Sequence, residues 1–284
     1  EIYMGDWSSD VCSSDLLSGF SWLSLGYTQT DTWLAGFAPV TGVYGLTALV
    51  LILAGALVTL PLGDRRARLI AAAVLVLPWP LGAWLQRVEW TRESGAPVAV
   101  AIVQGAVSQD LKWLEENREA TLRRYRELNS RVLGTPLIVW PESAPPDLAN
   151  NLAAYLGSLW READARGSHI VLGVVRVSDD GADYYNSVLA LADEVRFYDK
   201  RHLVPFGEFF PVPGFVRSWL RLASLPYSDF TRGADDQPPL EAAGLALVLT
   251  ICYEDAYGSS QLAGLRSAKD RKSTRLNSSH PYRS

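Results

Sequence analysis

The chain has 284 residues, of which 48% are hydrophobic and ten are tryptophan, and a formal net charge of -5 at pH 7. That length holds one sizeable folded domain with room for a membrane segment. The acidic balance excludes nucleic acid as the main partner, because phosphate binding needs a basic face.

The two ends differ from everything between them. Residues 1–16 read EIYMGDWSSDVCSSDL, and the chain closes on DRKSTRLNSSHPYRS. Both are Ser-rich and polar, with no apolar period. Residues 1–16 and 271–284 are expected to be non-native, adapter-like segments, with native sequence running from about Leu17 to about Asp270. Of the two cysteines, Cys12 falls in the first of these segments and Cys252 does not. Pairing between them is not expected, since nothing here resembles a small disulfide-stapled domain.

In chain order, Gly19 to Tyr27 is aromatic and glycine-rich. It suits an interfacial or re-entrant segment, and chance hydrophobicity explains it as well. From Trp33 to Gly63 there is no charged residue, and Val43–Leu62 is twenty residues long and almost wholly apolar. That is the length needed to cross a hydrocarbon core. Asp64, Arg65, Arg66 and Arg68 follow as an expected short loop. A second uncharged run, Leu69–Gln86, carries Pro78 and Pro80, which should kink it. The basic loop favours the cytoplasmic side and so places everything after Arg87 on the opposite face. Residues 17–93 therefore read as a partial transmembrane domain, with spans at about 43–62 and 69–86.

Beyond Ser94 the texture changes to strand-like runs alternating with amphipathic stretches. Strands are predicted at Pro97–Val107, Pro136–Trp140, His169–Val177, Tyr184–Leu191, Val195–Tyr198 and Leu245–Ile251. Helices are predicted at Asp110–Leu133 and Asp147–Arg166. Phe206 to about Gln237 reads as a long loop with a short helix near Val216–Ala223. This order describes an α/β layered domain over residues 94–270.

Three strand ends carry chemistry. Cys252 closes the apolar run Leu245–Ile251. Glu142 follows Trp140-Pro141, where proline stops the ladder. Lys200 follows the strand Val195–Tyr198. A thiol, a carboxylate and an ammonium are the parts that acyl transfer through a thioester needs. Glu142 would remove the thiol proton. Lys200 would face the anionic oxygen of a tetrahedral intermediate and favour the thiolate. Glu208, eight residues on, would orient Lys200 or act as a further acid or base. Each also has an ordinary reading taken singly: an inert buried thiol, a solvated loop glutamate, a solvated lysine. His202 lacks an Asp or Ser partner in sequence and reads as structural. No zinc spacing, phosphate loop or dinucleotide fingerprint occurs, so no metal and no cofactor is expected.

The order and wording of these motifs are more specific than any one of them. Trp140-Pro-Glu-Ser143, Tyr198-Asp-Lys-Arg-His-Leu-Val-Pro-Phe-Gly-Glu208 and Ile251-Cys-Tyr-Glu254 resemble the bacterial apolipoprotein N-acyltransferases, membrane members of the nitrilase (carbon-nitrogen hydrolase) superfamily. The resemblance extends to Phe20-Ser-Trp-Leu, Leu34-Ala-Gly-Phe-Ala-Pro39, Val103-Gln-Gly105 and Lys112-Trp113. It implies an α-β-β-α sandwich on a helical membrane domain in the inner membrane, with the catalytic domain on the periplasmic side. It makes Glu142 the general base, Lys200 the oxyanion cation and Cys252 the nucleophile. Trp113, Glu208, Tyr253 and Glu254 match supporting or substrate-binding positions.

The implied reaction takes an acyl chain from a glycerophospholipid onto Cys252 as a thioester. That chain then passes to the N-terminal amine of a diacylglyceryl-cysteine lipoprotein. A nitrilase-like amidase is the alternative, with water as acceptor, though it has no need of the two apolar spans. A non-catalytic membrane scaffold is a second alternative, and its mark, loss of one of the three groups, is missing. Family members continue well beyond the nucleophile. The sandwich is therefore expected to be C-terminally truncated here, and the 284-residue chain to fold poorly and be inactive.

Overall fold

The computed structural model describes residues 24–91, 95–108, 112–205, 207–209, 230–258 and 264. The expected terminal segments, Cys12, the Phe20 motif and the helix near Val216–Ala223 lie outside the described residues. The chain divides into two compact units, Glu1–Glu93 and Ser94–Ser284.

In the first unit, 3-10 turns at Leu25–Gln29 and Trp33–Phe37 lead into helix α1 (Ala38–Leu62), followed by α2 (Arg65–Val76) and α3 (Pro78–Leu85). Pro39 sits in the first turn of α1, where its missing N–H costs nothing. Pro78 starts α3 and divides the second apolar run at Leu77. Gly36 and Gly82 allow the Trp33–Phe37 turn to lie against α3. A Cβ on Gly36 would come within 2.0 Å of the Gly82 carbonyl oxygen.

The expected arginine loop needs correction. The Asp64 carboxylate accepts from the Ala67 amide at 2.8 Å and caps α2, so Arg65, Arg66 and Arg68 form the first turn of that helix. Only Gly63 and Asp64 remain as the turn. Arg68 reaches back and donates to the Pro61 carbonyl at 3.1 Å, satisfying an end carbonyl of α1.

Trp33–Leu62 and Arg65–Leu85 are each long and apolar enough to cross a membrane, and only 11% of each apolar window is buried. Leu57, Leu62, Leu69 and Val76 are exposed. A core helix of a soluble protein covers such side chains, and these have no protein over them.

The second unit is a five-stranded sheet in the order β1 (Val100–Ile102), β2 (Leu137–Val139), β3 (His169–Val177), β4 (Tyr184–Leu191), β5 (Val195–Asp199). The first three strands run parallel, and β3, β4 and β5 are antiparallel. Each parallel step crosses over through a helix, α4 (Glu115–Ser130) and then α5 (Ala153–Asp164). Leu122 and Tyr125 of α4 and Leu156, Leu159 and Ala163 of α5 pack on Ile138, Ile170, Leu172 and Leu189 on one face of the sheet. The other face buries Leu137, Val139, Val171, Val188 and Tyr198 against a hairpin of β6 (Leu240–Ala242) and β7 (Leu245–Leu247). Alternation along β2–β4 thus feeds two cores. The domain is α/β, with layers of helices, large sheet and small sheet.

β6 and its turn at Ala243-Gly244, where both residues have positive φ, were not anticipated. The predicted last strand, Leu245–Ile251, is a ladder only over Leu245–Leu247 among the described residues. The helices are shorter at both ends than the periodicity suggested.

Candidate active site

Glu142 is held by a local irregularity in the sheet. Trp140 is fully buried, its indole N–H donates to Asn129 Oδ1 at 3.1 Å, and its ring stacks on Tyr125 at 4.9 Å. This anchors the end of β2. Beyond it, Gly173 donates to the Pro141 carbonyl at 3.2 Å, and Ala144 donates to the Gly173 carbonyl at 2.9 Å. Glu142 and Ser143 are the residues between those two bonds, bulged opposite Gly173, with Ser143 at φ 47°. Gly173 is what leaves room: a Cβ there would lie 2.4 Å from Glu142 Cα and 2.6 Å from the Ser143 nitrogen.

Lys200 stands one residue beyond β5 and is 1% exposed. Its backbone N–H donates to the Asn186 carbonyl, and its carbonyl accepts from Gly233, both at 2.8 Å. Its ammonium meets Glu208 Oε1 at 2.8 Å. The other oxygen of Glu208 accepts from the Val204 amide at 2.9 Å. Of the two roles considered for Glu208, the geometry is that of an orienting partner for Lys200. The side-chain amide of Asn186, on β4, donates to Glu142 Oε1 at 2.8 Å and to Glu208 Oε1 at 3.1 Å. Glu142, Asn186, Glu208 and Lys200 therefore form one hydrogen-bonded chain.

Cys252 opens a 3-10 turn, Cys252–Ala256, with φ 50°. A non-glycine residue in the left-handed region is strained, and such strain concentrates at functional sites. Cys252 is a free thiol, half-buried. Burial first, then the Glu142 carboxylate, pushes this thiol above its ordinary range, while Lys200 pulls it down and Glu208 pushes it up.

Glu254 is a buried clamp. Its carboxylate accepts from the amides of Arg201 at 2.7 Å, Ile251 at 2.9 Å and His202 at 3.2 Å, and from the Tyr198 hydroxyl at 3.1 Å. It thereby ties the turn of Cys252 to the loop of Lys200. Burial outweighs these donors and raises its pKa above the usual carboxylate range. Tyr253 is buried too, and its hydroxyl accepts from Tyr257 at 2.8 Å. His202 stacks on Tyr257 at 4.4 Å, and its backbone amide is one of the donors to Glu254.

Trp113 is 51% exposed and joins the cluster only through its neighbour. The Lys112 ammonium lies 5.6 Å from the Trp113 ring centre. Lys112 is buried, which lowers its pKa, and the Glu142 charge opposes that shift. In the sequence Lys112 stands out only as part of the Lys112-Trp113 motif, and Asn186 and Gly173 carry no assigned role. Gly173, a glycine inside an apolar strand, was the one visible signal of the three. Among the described residues no three His, Cys, Asp or Glu side chains gather to hold a metal.

One expected result follows from the field at the thiol. Glu142→Gln should move the pH profile of Cys252 alkylation to lower pH, and Lys200→Met should move it to higher pH. Measured with iodoacetamide in a Cys12→Ser background, shifts in the opposite senses would show that the charges around Cys252 are misassigned.

Comparison with known proteins places the chain. The family model for the apolipoprotein N-acyltransferase N-terminal domain matches residues 8–56. A curated apolipoprotein N-acyltransferase from Methylococcus capsulatus is 41% identical over 254 residues, covering 88% of this chain and 50% of that protein. Those from Chromobacterium violaceum and Azotobacter vinelandii are 40% and 42% identical over 86% and 89% of the chain, and 48% and 50% of their own lengths. Over most of its length the chain is similar to curated apolipoprotein N-acyltransferases. It spans about half the length of the curated family members it matches. Among solved structures, a CN-hydrolase superfamily protein from Xanthomonas campestris matches 55% of this chain and 54% of its own at 18% identity and TM-score 0.38. A carbon-nitrogen hydrolase from Helicobacter pylori matches 59% and 56% at 17% identity and TM-score 0.39. These likenesses are too distant to speak to chemistry.

Proposed function

We propose that the protein transfers an acyl chain from a glycerophospholipid, through a thioester on Cys252, to the α-amine of a diacylglyceryl-cysteine at the N-terminus of a lipoprotein. The observation that carries this reading is the hydrogen-bonded chain Glu142–Asn186–Glu208–Lys200, whose charges act on the free thiol of Cys252.

Glu142 takes the thiol proton as sulfur attacks the ester carbonyl of the phospholipid. The carbonyl oxygen becomes an oxyanion facing Lys200. Collapse breaks the C–O bond, and the proton passes from Glu142 to the leaving lysophospholipid hydroxyl. In the second half the lipoprotein amine attacks the thioester, Glu142 takes its proton, and the thiol is released. One acyl chain at a time suits one thiol and one cation. No cofactor enters either half.

Residues 17–93 serve as part of a multi-pass membrane domain of the bacterial inner membrane, and residues 94–270 as the catalytic domain on its periplasmic side. The apolar, uncovered faces of Trp33–Leu62 and Arg65–Leu85 support the membrane placement, and arginines 65, 66 and 68 at the start of α2 support the side. Lipid substrates are thereby spared full extraction into water.

The test is a detergent-reconstituted assay, with the full-length Methylococcus capsulatus family member in parallel. An acyl-labelled phospholipid is supplied with either a diacylglyceryl-cysteine peptide or water alone. N-acylated peptide is the expected product. Release of free fatty acid with no N-acylated peptide would instead establish the amidase reading.

A further inference from the structure

The proposed mechanism gives no task to Asn186, a buried polar side chain beside its charged groups. Asn186 is 4% exposed. Its side-chain nitrogen donates to Glu142 and Glu208 at once, so its oxygen is turned the other way, where it is buried and has no hydrogen-bond partner among the described residues. A leucine would fill a similar volume on this sheet face without stranding an acceptor. Packing alone does not account for asparagine here.

We infer that Asn186 is a positioning residue that keeps the two carboxylates in separate jobs, Glu208 on the Lys200 ammonium and Glu142 at the thiol. The inference rests on the acyl-transfer reading above. Glu142 and Lys200 carry opposite charges in a buried cluster and attract one another. A direct pair between them would take the base from the sulfur and neutralise the cation that faces the oxyanion. A cationic tether would restrain Glu142 but weaken it as a base. An amide N–H restrains it without a full charge.

The tether is also stiff. Asn186 lies within the paired length of β4, opposite Val175 of β3. Its own carbonyl fixes the Lys200 backbone at 2.8 Å. One residue thus sets the places of base, cation and cation partner. The charged groups that act on the cluster are Lys112, Glu142, Lys200 and Glu208.

Asn186→Leu and Asn186→Asp, near in size and both lacking the N–H pair, are compared with the unsubstituted sequence in detergent, residues 17–270 being carried in place of the matching segment of the full-length Methylococcus capsulatus relative. Three quantities are read: thioester formation from acyl-labelled phospholipid, the pH profile of Cys252 alkylation by iodoacetamide, and thermal melting. Both variants should form the thioester on the order of a hundredfold more slowly at unchanged KM for phospholipid. Their alkylation profiles should move to higher pH, because Lys200 is then shared between two carboxylates. If the leucine variant melts early, the aspartate variant carries the test. Unchanged rates and profiles in either folded variant overturn the inference, and so does a loss of both rates that only tracks the loss of melting temperature. Failure of the acyl-transfer reading looks different: the unsubstituted protein then forms no thioester, yet its alkylation profile still shifts on substitution.

Discussion

Gly173→Ala is expected to slow acylation of Cys252 by on the order of a hundredfold, more than its effect on folding explains. The added Cβ would stand 2.4 Å from Glu142 Cα, 2.6 Å from the Ser143 nitrogen and 2.7 Å from the Pro141 oxygen. All three are backbone atoms, so no rotamer change relieves the clash. The bulge has to move, and it carries Glu142, the proposed base. Overpacking of this kind costs about 1–3 kcal/mol in stability. A displacement of about 1 Å at a catalytic group costs far more in rate. Parallel measurement of melting temperature and single-turnover acylation separates the two, and near-normal acylation in the alanine variant would remove Gly173 from its role.

Lys200→Met should have the largest effect of any single change apart from loss of the thiol. It removes the charge proposed to face the oxyanion, a contribution worth about 10²–10³ in rate. It also leaves the Glu208 carboxylate, half of an ion pair with a partner only 1% exposed, without its cation. Breaking such a pair costs about 3–5 kcal/mol when both groups are buried, and somewhat less here because Glu208 keeps some access to solvent. Lys200→Met with Glu208→Gln removes the stranded charge. The double variant should recover most of the lost melting temperature and none of the lost acylation. Recovery of activity along with stability would show that Lys200 acts only through the fold.

These two residues mark where the sequence was and was not readable. Glu142 and Lys200 were visible because each follows an apolar run that ends abruptly, one at Pro141 and one at Asp199, and strand ends are where such a sheet presents its chemistry. Cys252 was visible for the same reason. The long strands β3 and β4 were marked by their apolar stretches, Ile170–Val175 and Val188–Leu191. What holds the groups together was not visible. Asn186 sits in a stretch, Tyr184-Tyr-Asn-Ser187, whose polar residues look like an exposed strand start. Only the folded register turns its side chain toward Glu142 and Glu208.

Glu254 entered only through the resemblance, as a supporting or substrate-binding position two residues from Cys252. Its donors come from Tyr198, Arg201 and His202, more than fifty positions earlier, so its role as a clamp depends on tertiary contact. The small strand β6 was lost between Pro239 and the Ala243-Gly244 turn, a run too short for its alternation to register. The arginines at 65, 66 and 68 were read as a loop because charge alone was weighed. The capping capacity of Asp64, three residues before the amide of Ala67, was the signal overlooked.

The most direct test is the intact mass of a full-length protein, residues 17–270 of this chain carried in the Methylococcus capsulatus relative, after incubation with a phospholipid of defined acyl chain. A gain of one acyl group, removable by hydroxylamine, mapped to Cys252 and lost in Cys252→Ser, is the result expected. Undiminished labelling of the Cys252→Ser protein would contradict the account, whatever the distances around the sulfur.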